Sequence, residues 1–166
     1  SKTLDIDEKT YFKIIQEKTA SLFSSCCEMG AISSNSNEKN ILFMKEFGLL
    51  LGQAFQIRDD MFGYLSYDTG KPSLNDFKQA KITLPLIFSL SKVNSSKKNE
   101  IIKNLKNYKS IDKIIDFVKE EGGIDYSQNL MNNLTEKAYS ILEKFPESDY
   151  KNSLKKLLNY TISRNI

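Results

Sequence analysis

The chain has 166 residues, a length that predicts one domain, and 40% of its residues are hydrophobic, which is ordinary for a globular protein. Its formal net charge of +3 is small and its lysines are dispersed, so we expect no nucleic-acid partner. No apolar run approaches the roughly 20 residues of a membrane span, and no basic leader precedes an apolar stretch. We therefore expect a protein that neither spans a membrane nor is secreted.

Two residue types that often carry chemistry are absent or scarce. The sequence contains no histidine, which excludes histidine triads, histidine bases and histidine–metal sites in this chain. The only cysteines, Cys26 and Cys27, are adjacent, and neighbouring cysteines rarely bridge. A reduced, cytoplasmic compartment is the simplest expectation. Any catalysis must use carboxylates, lysines, hydroxyls and amides.

The periodicity of apolar residues indicates helices along almost the whole chain, so we predict an all-α fold. Polar or small residues predict loops and turns at residues 31–37, 66–76 and 94–98. Pro85 lies in the first turn of its helix, where proline is tolerated, and Gly122 with Gly123 ends another helix. The predicted helices cover, in chain order, residues 7–30, 38–63, 83–93, 99–108, 110–121, 124–145 and 149–164.

Two glycines, Gly48 and Gly52, stand four residues apart inside the second predicted helix. A glycine within a helix costs up to about 1 kcal/mol relative to alanine. A pair on one helix face therefore indicates close approach by another helix or by a ligand. The alternative is tight helix packing without any functional role.

Three polar residues share one face of the same predicted helix. Gln56, Asp59 and Asp60 follow an i, i+3, i+4 spacing, and Gly63 lies on that face as well. Neighbouring carboxylates repel each other unless a cation lies between them, and ligands that are all oxygen favour a hard cation such as Mg²⁺. The alternative is a solvated acidic pair on the surface, which is the commoner fate of an isolated Asp-Asp.

Three lysines strengthen the functional interpretation. Lys71 follows the predicted acidic helix in a loop, Lys81 comes ten residues later, and Lys18 stands beside Thr19 on the first helix. Carboxylates with several nearby lysines form a site for a metal-bridged diphosphate, because cations then neutralise the phosphate oxygens from both sides. Each lysine alone would be interpreted as a solvated surface residue.

Four short motifs occur in order: KTASLF (18–23), FGLLLGQAFQIRDD (47–60), GKPSLND (70–76) and KITLPLI (81–87). Together with EGGIDYSQNLMNNLTEKAYSILEKFP (121–146), they closely resemble the second half of the trans-isoprenyl diphosphate synthases, the polyprenyl synthetase family. The resemblance implies the C-terminal part of one all-α isoprenoid synthase bundle over residues 1–166. It also implies a homodimer that condenses isopentenyl diphosphate with an allylic prenyl diphosphate in a 1′–4 reaction.

The resemblance also assigns roles to residues that hold the allylic substrate. Lys18 would contact the allylic diphosphate, and Lys71 would hold that diphosphate as it leaves. Thr19 and Gln56 would direct oxygen dipoles towards the allylic carbocation. In this interpretation Lys18, Thr19, Gln56 and Lys71 are the catalytic residues, and they surround one cavity together with Asp59.

The metal site is implied in the same way. Asp59 would ligate Mg²⁺, and Asp60 would support it directly or through water. Lys81 would help to bind substrate, and Asp76 with Lys81 would support the residues that contact the diphosphate.

Two departures from the family pattern stand out. Gly63 replaces the last aspartate of the family's Asp-Asp-x-x-Asp motif, which weakens the expected metal site. No Asp-Asp pair occurs upstream of Lys18, where the family's first aspartate-rich motif belongs. We therefore expect the chain to be part of a longer enzyme and to be inactive alone.

Other functions stay open at this point. The chain could be a non-catalytic subunit of a heteromeric prenyl diphosphate synthase, with Gly63 as the mark of a degenerate site. It could be a structural helical bundle whose acidic pair is surface decoration. A terpene cyclase or a squalene-type synthase fits less well, because the KTASLF and GKPSLND motifs resemble neither.

Overall fold

The computed structural model describes residues 7–65, 81–106 and 111–163, and these residues form helices joined by short turns, with no strand among them. The all-α prediction is confirmed. A five-residue π-helical segment, Gln16–Ala20, joins the first two helices. The α-helices are α1 (Glu8–Ile15), α2 (Ser21–Ser33), α3 (Glu38–Leu65), α4 (Leu84–Ser91), α5 (Ser95–Lys106), α6 (Ile111–Glu120), α7 (Gly123–Leu142) and α8 (Asp149–Ser163).

The first helical run extends beyond its predicted end at residue 30. It continues to Ser33 because Ala31 is buried and carries the packed face one turn further. Asn35 then adopts a positive φ of 54°, a conformation that asparagine tolerates better than most residues. Its backbone N–H donates to the carbonyl of Ile32, and this closes the turn before α3. The π segment within this run was not predicted.

The long helix α3 begins where the sequence predicted and ends two residues later. Asn37 precedes it, and its side-chain oxygen accepts a hydrogen bond from the backbone N–H of Asn40 at 2.9 Å, which caps the first turn. At the other end, the buried Tyr64 hydroxyl lies 2.9 Å from Oγ1 of Thr83. This contact joins the end of α3 to the residue that precedes α4.

The glycine pair on α3 meets the first helical run at very short range. A Cβ atom on Gly48 would lie 2.4 Å from the carbonyl oxygen of Phe23, and one on Gly52 would lie 2.6 Å from Cα of Ala20. Real Cβ atoms do not approach backbone atoms so closely, so both positions require glycine while these helices stay in contact. The predicted close helix approach is confirmed.

One of the predicted turns is wrong. Residues 95–98 were expected in a turn, but α5 begins at Ser95. The side-chain oxygen of Asn94 accepts a hydrogen bond from the backbone N–H of Lys97 at 3.0 Å, as an N-cap does. The polar residues of this stretch therefore form the exposed first turn of a helix. Gly122, with a φ of 72°, separates α6 from α7 as predicted.

The chain divides into two compact units. Of the described residues, the first contains 7–11, 59–65, 81–106 and 111–128, and in it α6 packs against α4 and α5. The second contains the described residues 12–58 and 129–163. The largest fully buried side chains of the first unit include Leu84, Leu86, Ile114 and Ile115. Those of the second unit include Phe47, Leu51, Ile57, Met131, Leu142 and Leu158.

A buried lysine closes the turn between α7 and α8. Lys151 is 4% exposed, and its ammonium group donates to the carbonyl of Phe145 at 2.9 Å. It also bonds Oε2 of Glu143 at 3.1 Å and Oε1 of Glu147 at 2.6 Å. The lysine charge is therefore paired, and all three of its donors are used.

Over the described ranges, none of the helices combines the length and the apolar character that crossing a membrane requires.

Candidate active site

The π segment brings Thr19 to the glutamine of α3. The Thr19 hydroxyl donates a hydrogen bond of 2.7 Å to Oε1 of Gln56, which is 6% exposed. A π turn shifts the phase of a helix, and such turns are frequent at functional sites. The close approach at Gly52, one helical turn before Gln56, places the two backbones near enough for short side chains to meet.

The two aspartates of α3 lie in different environments although they are neighbours. The side chain of Asp59 is exposed, whereas Asp60 is 9% exposed. Oδ2 of Asp60 accepts a hydrogen bond of 2.7 Å from the hydroxyl of Tyr11, a buried residue of α1. Tyr11 had no predicted chemical role. Its only signal was a helical spacing that also suits a core residue.

The pKa of Tyr11 reflects these surroundings. Burial raises the pKa of the phenol well above its ordinary value, and the negative charge of Asp60 and the hydrogen bond to it act in the same direction. Tyr64 and Asp59 contribute smaller effects of the same sign. Tyr11 therefore keeps its proton, and its hydroxyl remains a donor.

Lys81 stands next to a well-anchored segment. Its side chain is exposed, while Ile82 and Thr83, which follow it, are buried. The contact between Thr83 and Tyr64 holds this segment to the end of α3. Lys81 therefore has a fixed backbone and a side chain that reaches solvent.

The remaining predicted residues fall into two groups. Lys18 is exposed and belongs to the π segment, next to Thr19. Lys71 and Asp76 lie outside the described residues. The structure brings Thr19 and Gln56 together, whereas a cavity shared by Lys18, Thr19, Gln56, Asp59 and Lys71 stays a prediction.

The acidic pair suits a cation that takes few protein ligands. Among the described residues, no group of three or more acidic or cysteine side chains gathers as a metal cage would. Mg²⁺ does not need one, because it keeps several waters and is bound through one or two carboxylates plus substrate phosphates. The exposed Asp59 and the hydrogen-bonded Asp60 fit this requirement.

Arg58, which lies between Gln56 and Asp59 in the sequence, also had no predicted role. Its guanidinium donates to the carbonyl oxygens of Thr161 at 2.5 Å and Tyr160 at 3.3 Å, in the last turn of α8. Carbonyls at a helix C-terminus lack partners within the helix, so a cation there is favourable. Arg58 thus ties the C-terminal helix to α3 within the second unit.

Two known proteins that this chain resembles, one in sequence and one in fold, are geranylgeranyl diphosphate synthases. The chain is 34% identical to a geranylgeranyl diphosphate synthase of Sulfolobus acidocaldarius over 170 residues, covering 97% of this chain and 51% of the relative. Its fold matches a geranylgeranyl pyrophosphate synthase of Bacteroides thetaiotaomicron with a TM-score of 0.87 and 33% identity, over 95% of this chain and 54% of that one. The chain spans about half the length of the curated relatives it matches.

A further solved structure is a polyprenyl synthase of Caulobacter crescentus complexed with calcium and isoprenyl diphosphate. It has a TM-score of 0.84 and 27% identity, and the match covers 98% of this chain and 51% of that one. The sequence model of the family described as polyprenyl synthetase matches residues 1–121, which is well over half of the chain. On these grounds the chain belongs to the polyprenyl synthetase family.

Proposed function

We propose that this chain serves a prenyltransferase that condenses isopentenyl diphosphate with an allylic prenyl diphosphate in a 1′–4 reaction and releases pyrophosphate. The observation that carries the proposal is the hydrogen bond between Thr19 and Gln56. It joins the KTASLF and FQIRDD motifs in a chain that belongs to the polyprenyl synthetase family.

The reaction separates charge, and the residues of these motifs suit both the carbon that becomes positive and the diphosphate that becomes more negative. When the allylic carbon–oxygen bond breaks, carbon becomes positive and the leaving diphosphate gains negative charge. The oxygen dipoles of Thr19 and Gln56 favour the cation, and their mutual hydrogen bond orients them before the reaction. The double bond of isopentenyl diphosphate then forms the new carbon–carbon bond and one proton is lost.

Cationic side chains act on the diphosphate in this proposal. Lys18 and Lys71 would bind the allylic diphosphate, and Lys81 would assist in substrate binding. The exposure of Lys18 and Lys81 supports this role, because both side chains reach the solvent from which a diphosphate would arrive. Contacts between lysine and diphosphate accelerate the reaction when they are stronger in the transition state, where negative charge has grown, than in the bound substrate.

The proposed cofactor is Mg²⁺, held by Asp59 and supported by Asp60. When bound, it would neutralise charge on the leaving diphosphate. The calcium and isoprenyl diphosphate in the Caulobacter crescentus polyprenyl synthase support a site of this class. A homodimer and a cytoplasmic location complete the proposal, and they rest on the family resemblance and on the unbridged Cys26 and Cys27.

An assay of the full-length protein tests the function. We expect turnover on the order of 1 per second with isopentenyl and farnesyl diphosphates and Mg²⁺, and a longer prenyl diphosphate by mass spectrometry. Asp59→Ala should lower kcat by about 100-fold or more, because a bound metal contributes several kcal/mol to the transition state. Asp116→Ala, at an exposed aspartate of α6, should leave kcat unchanged.

Other outcomes would favour the alternatives. Turnover that appears only after a second polyprenyl synthetase chain is added would favour a non-catalytic subunit. Equal loss in Asp59→Ala and Asp116→Ala would mean that the acidic pair of α3 is not a metal site.

A separate prediction concerns the activity of the 166-residue chain when it is assayed by itself. It spans about half of its curated relatives, and catalytic groups that act as a unit lose activity together when some are removed. We therefore expect no measurable condensation from this chain alone. Turnover equal to that of the full-length protein would show that the residues 1–166 hold all the essential groups.

A further inference from the structure

The unequal burial of Asp59 and Asp60 indicates that they have unequal tasks. Asp59 is exposed and can meet a cation together with solvent and phosphate. Asp60 is 9% exposed, and a carboxylate that leaves water must be hydrogen-bonded to stay charged. The protein therefore has to hold Asp60 before that side chain can assist a cation.

Tyr11 supplies a donor for this purpose. Its side chain is 4% exposed, and its hydroxyl lies 2.7 Å from Oδ2 of Asp60. A hydrogen bond from a hydroxyl to an ionised carboxylate is roughly twice as strong as one between neutral groups. The bond therefore fixes the direction in which the Asp60 carboxylate points.

The start of α1 determines where Tyr11 lies. The side chain of Asp7 accepts a hydrogen bond from the backbone N–H of Thr10 at 2.8 Å, as an N-cap does. Its carbonyl accepts from the backbone N–H of Tyr11 at 3.0 Å. Because Tyr11 stands in the first turn, this cap sets the point from which its ring extends.

From this geometry we propose that Tyr11 is a positioning residue for the metal site: its hydroxyl orients Asp60, and the oriented Asp60 supports cation binding at Asp59. The inference rests on the proposed function, but only for the presence of a divalent cation at the acidic pair. Residues that hydrogen-bond to metal-site carboxylates change metal affinity by about 10–100-fold when they are removed. Tyr11 is an interaction partner of this kind, contributed by a helix 49 residues away in sequence.

Tyr11→Phe tests the inference because it removes one hydroxyl and keeps the ring. The measurement is the Kd of the full-length protein for Mn²⁺ with inorganic pyrophosphate, read from the paramagnetic resonance of free Mn²⁺. We expect the Kd to rise about tenfold or more. The concentration of Mg²⁺ that gives half-maximal condensation should rise with it, and the melting temperature in EDTA should fall by a few degrees, because Asp60 loses a buried donor.

Tyr126→Phe is the matched control. The Tyr126 hydroxyl donates to a carboxylate of the same unit, Oε2 of Glu8, at the same distance of 2.7 Å. We expect this variant to bind Mn²⁺ as the wild type does. Equal weakening in both variants, or an unchanged Kd in Tyr11→Phe, would overturn the inference.

A double-mutant cycle isolates the pair. Asp60→Asn should weaken Mn²⁺ binding, and adding Tyr11→Phe to it should change the Kd by less than about twofold, because Tyr11 acts on the cation through the Asp60 carboxylate. If Tyr11→Phe does not fold, Asp60→Asn tests the second half of the proposal, that Asp60 supports the cation, and an unchanged Kd there contradicts it. A wild type that binds Mn²⁺ but does not condense prenyl diphosphates contradicts the proposed function instead.

Discussion

The hydroxyl of Thr19 donates a 2.7 Å hydrogen bond to the side-chain oxygen of Gln56, 37 residues along the chain. One partner lies in a π segment and the other in an α-helix, and the glycine at position 52 lets their backbones approach. A buried glutamine with a fixed orientation differs from a mobile surface amide, because its dipole does not need to reorient when charge develops nearby.

Thr19→Val should lower kcat for prenyl transfer by about tenfold. The substitution keeps the shape of the side chain but removes a hydrogen bond worth about 1–1.5 kcal/mol, and the Gln56 amide loses its orientation. Steady-state kinetics of the full-length protein provide the measurement. Thr19→Ser keeps the hydroxyl and should recover most of the activity.

The matched control for this prediction is Thr135→Val. Thr135 is buried in α7, and its hydroxyl bonds only the carbonyl of Met131, one turn earlier, among the contacts described. This variant should leave kcat unchanged. If both valine variants slowed the reaction equally, the effect would reflect a general loss of packing.

Gly63→Asp should make the melting temperature depend on the cation. The family pattern has an aspartate at this position, and Gly63 is buried in α3. A new carboxylate there is costly unless a cation neutralises it, so the variant should melt below the wild type in EDTA. Adding Mg²⁺ and pyrophosphate should restore more of the melting temperature in the variant than in the wild type. An equal response in both proteins would mean that position 63 does not face the cation.

Gly48→Ala and Gly52→Ala should each destabilise the protein by about 1–3 kcal/mol. Their added methyl groups would meet backbone atoms of the first helical run, which cannot rotate away as a flexible side chain can. Gly30→Ala is the control, because Gly30 lies within α2 with nothing within 4 Å of its Cβ position. It should stabilise the protein by up to about 1 kcal/mol. Urea unfolding with a shared m value measures all three.

Lys151→Met should lower the melting temperature by a few degrees at neutral pH, because the carbonyl of Phe145 and two glutamates lose their donor. Lys156→Met is the control, since Lys156 is exposed on the same helix. A melting temperature that falls equally in both variants would mean that the buried position of Lys151 has no special effect.

The effect of Lys151→Met should also depend on pH. Hydrogen bonds from Lys155 and Lys151 lower the pKa of Glu143, so its contribution is present above the ordinary glutamate pKa and is lost as pH falls through the lowered value. A hydrogen bond from Lys151 to Glu147 raises the pKa of the lysine, whose contribution is lost only as pH rises through that raised value. The difference in melting temperature between wild type and variant should therefore be constant near neutral pH and should shrink in acid.

Much of the fold and part of the site follow from the sequence alone, because helical periodicity is local information. The spacing of apolar residues located the helices, and the spacing of Gln56, Asp59 and Asp60 placed them on one helix face. The glycines at 48 and 52 predicted a close helix approach, since only contact with a neighbour compensates their cost within a helix. The start of α5 also has a local signal in the sequence, because asparagine is a common N-cap residue and Asn94 caps this helix. The predicted turn at 94–98 overlooked that signal.

Only the tertiary structure decided which side chains meet. Tyr11 and Asp60 are 49 residues apart, and Arg58 reaches carbonyls 102 and 103 residues further along the chain. Such contacts depend on how the helices pack and on the phase shift of the π segment, which no local pattern records. The different burial of Asp59 and Asp60 has the same origin. Two adjacent aspartates are equal in sequence, and packing against Tyr11 makes one of them a buried, hydrogen-bonded group.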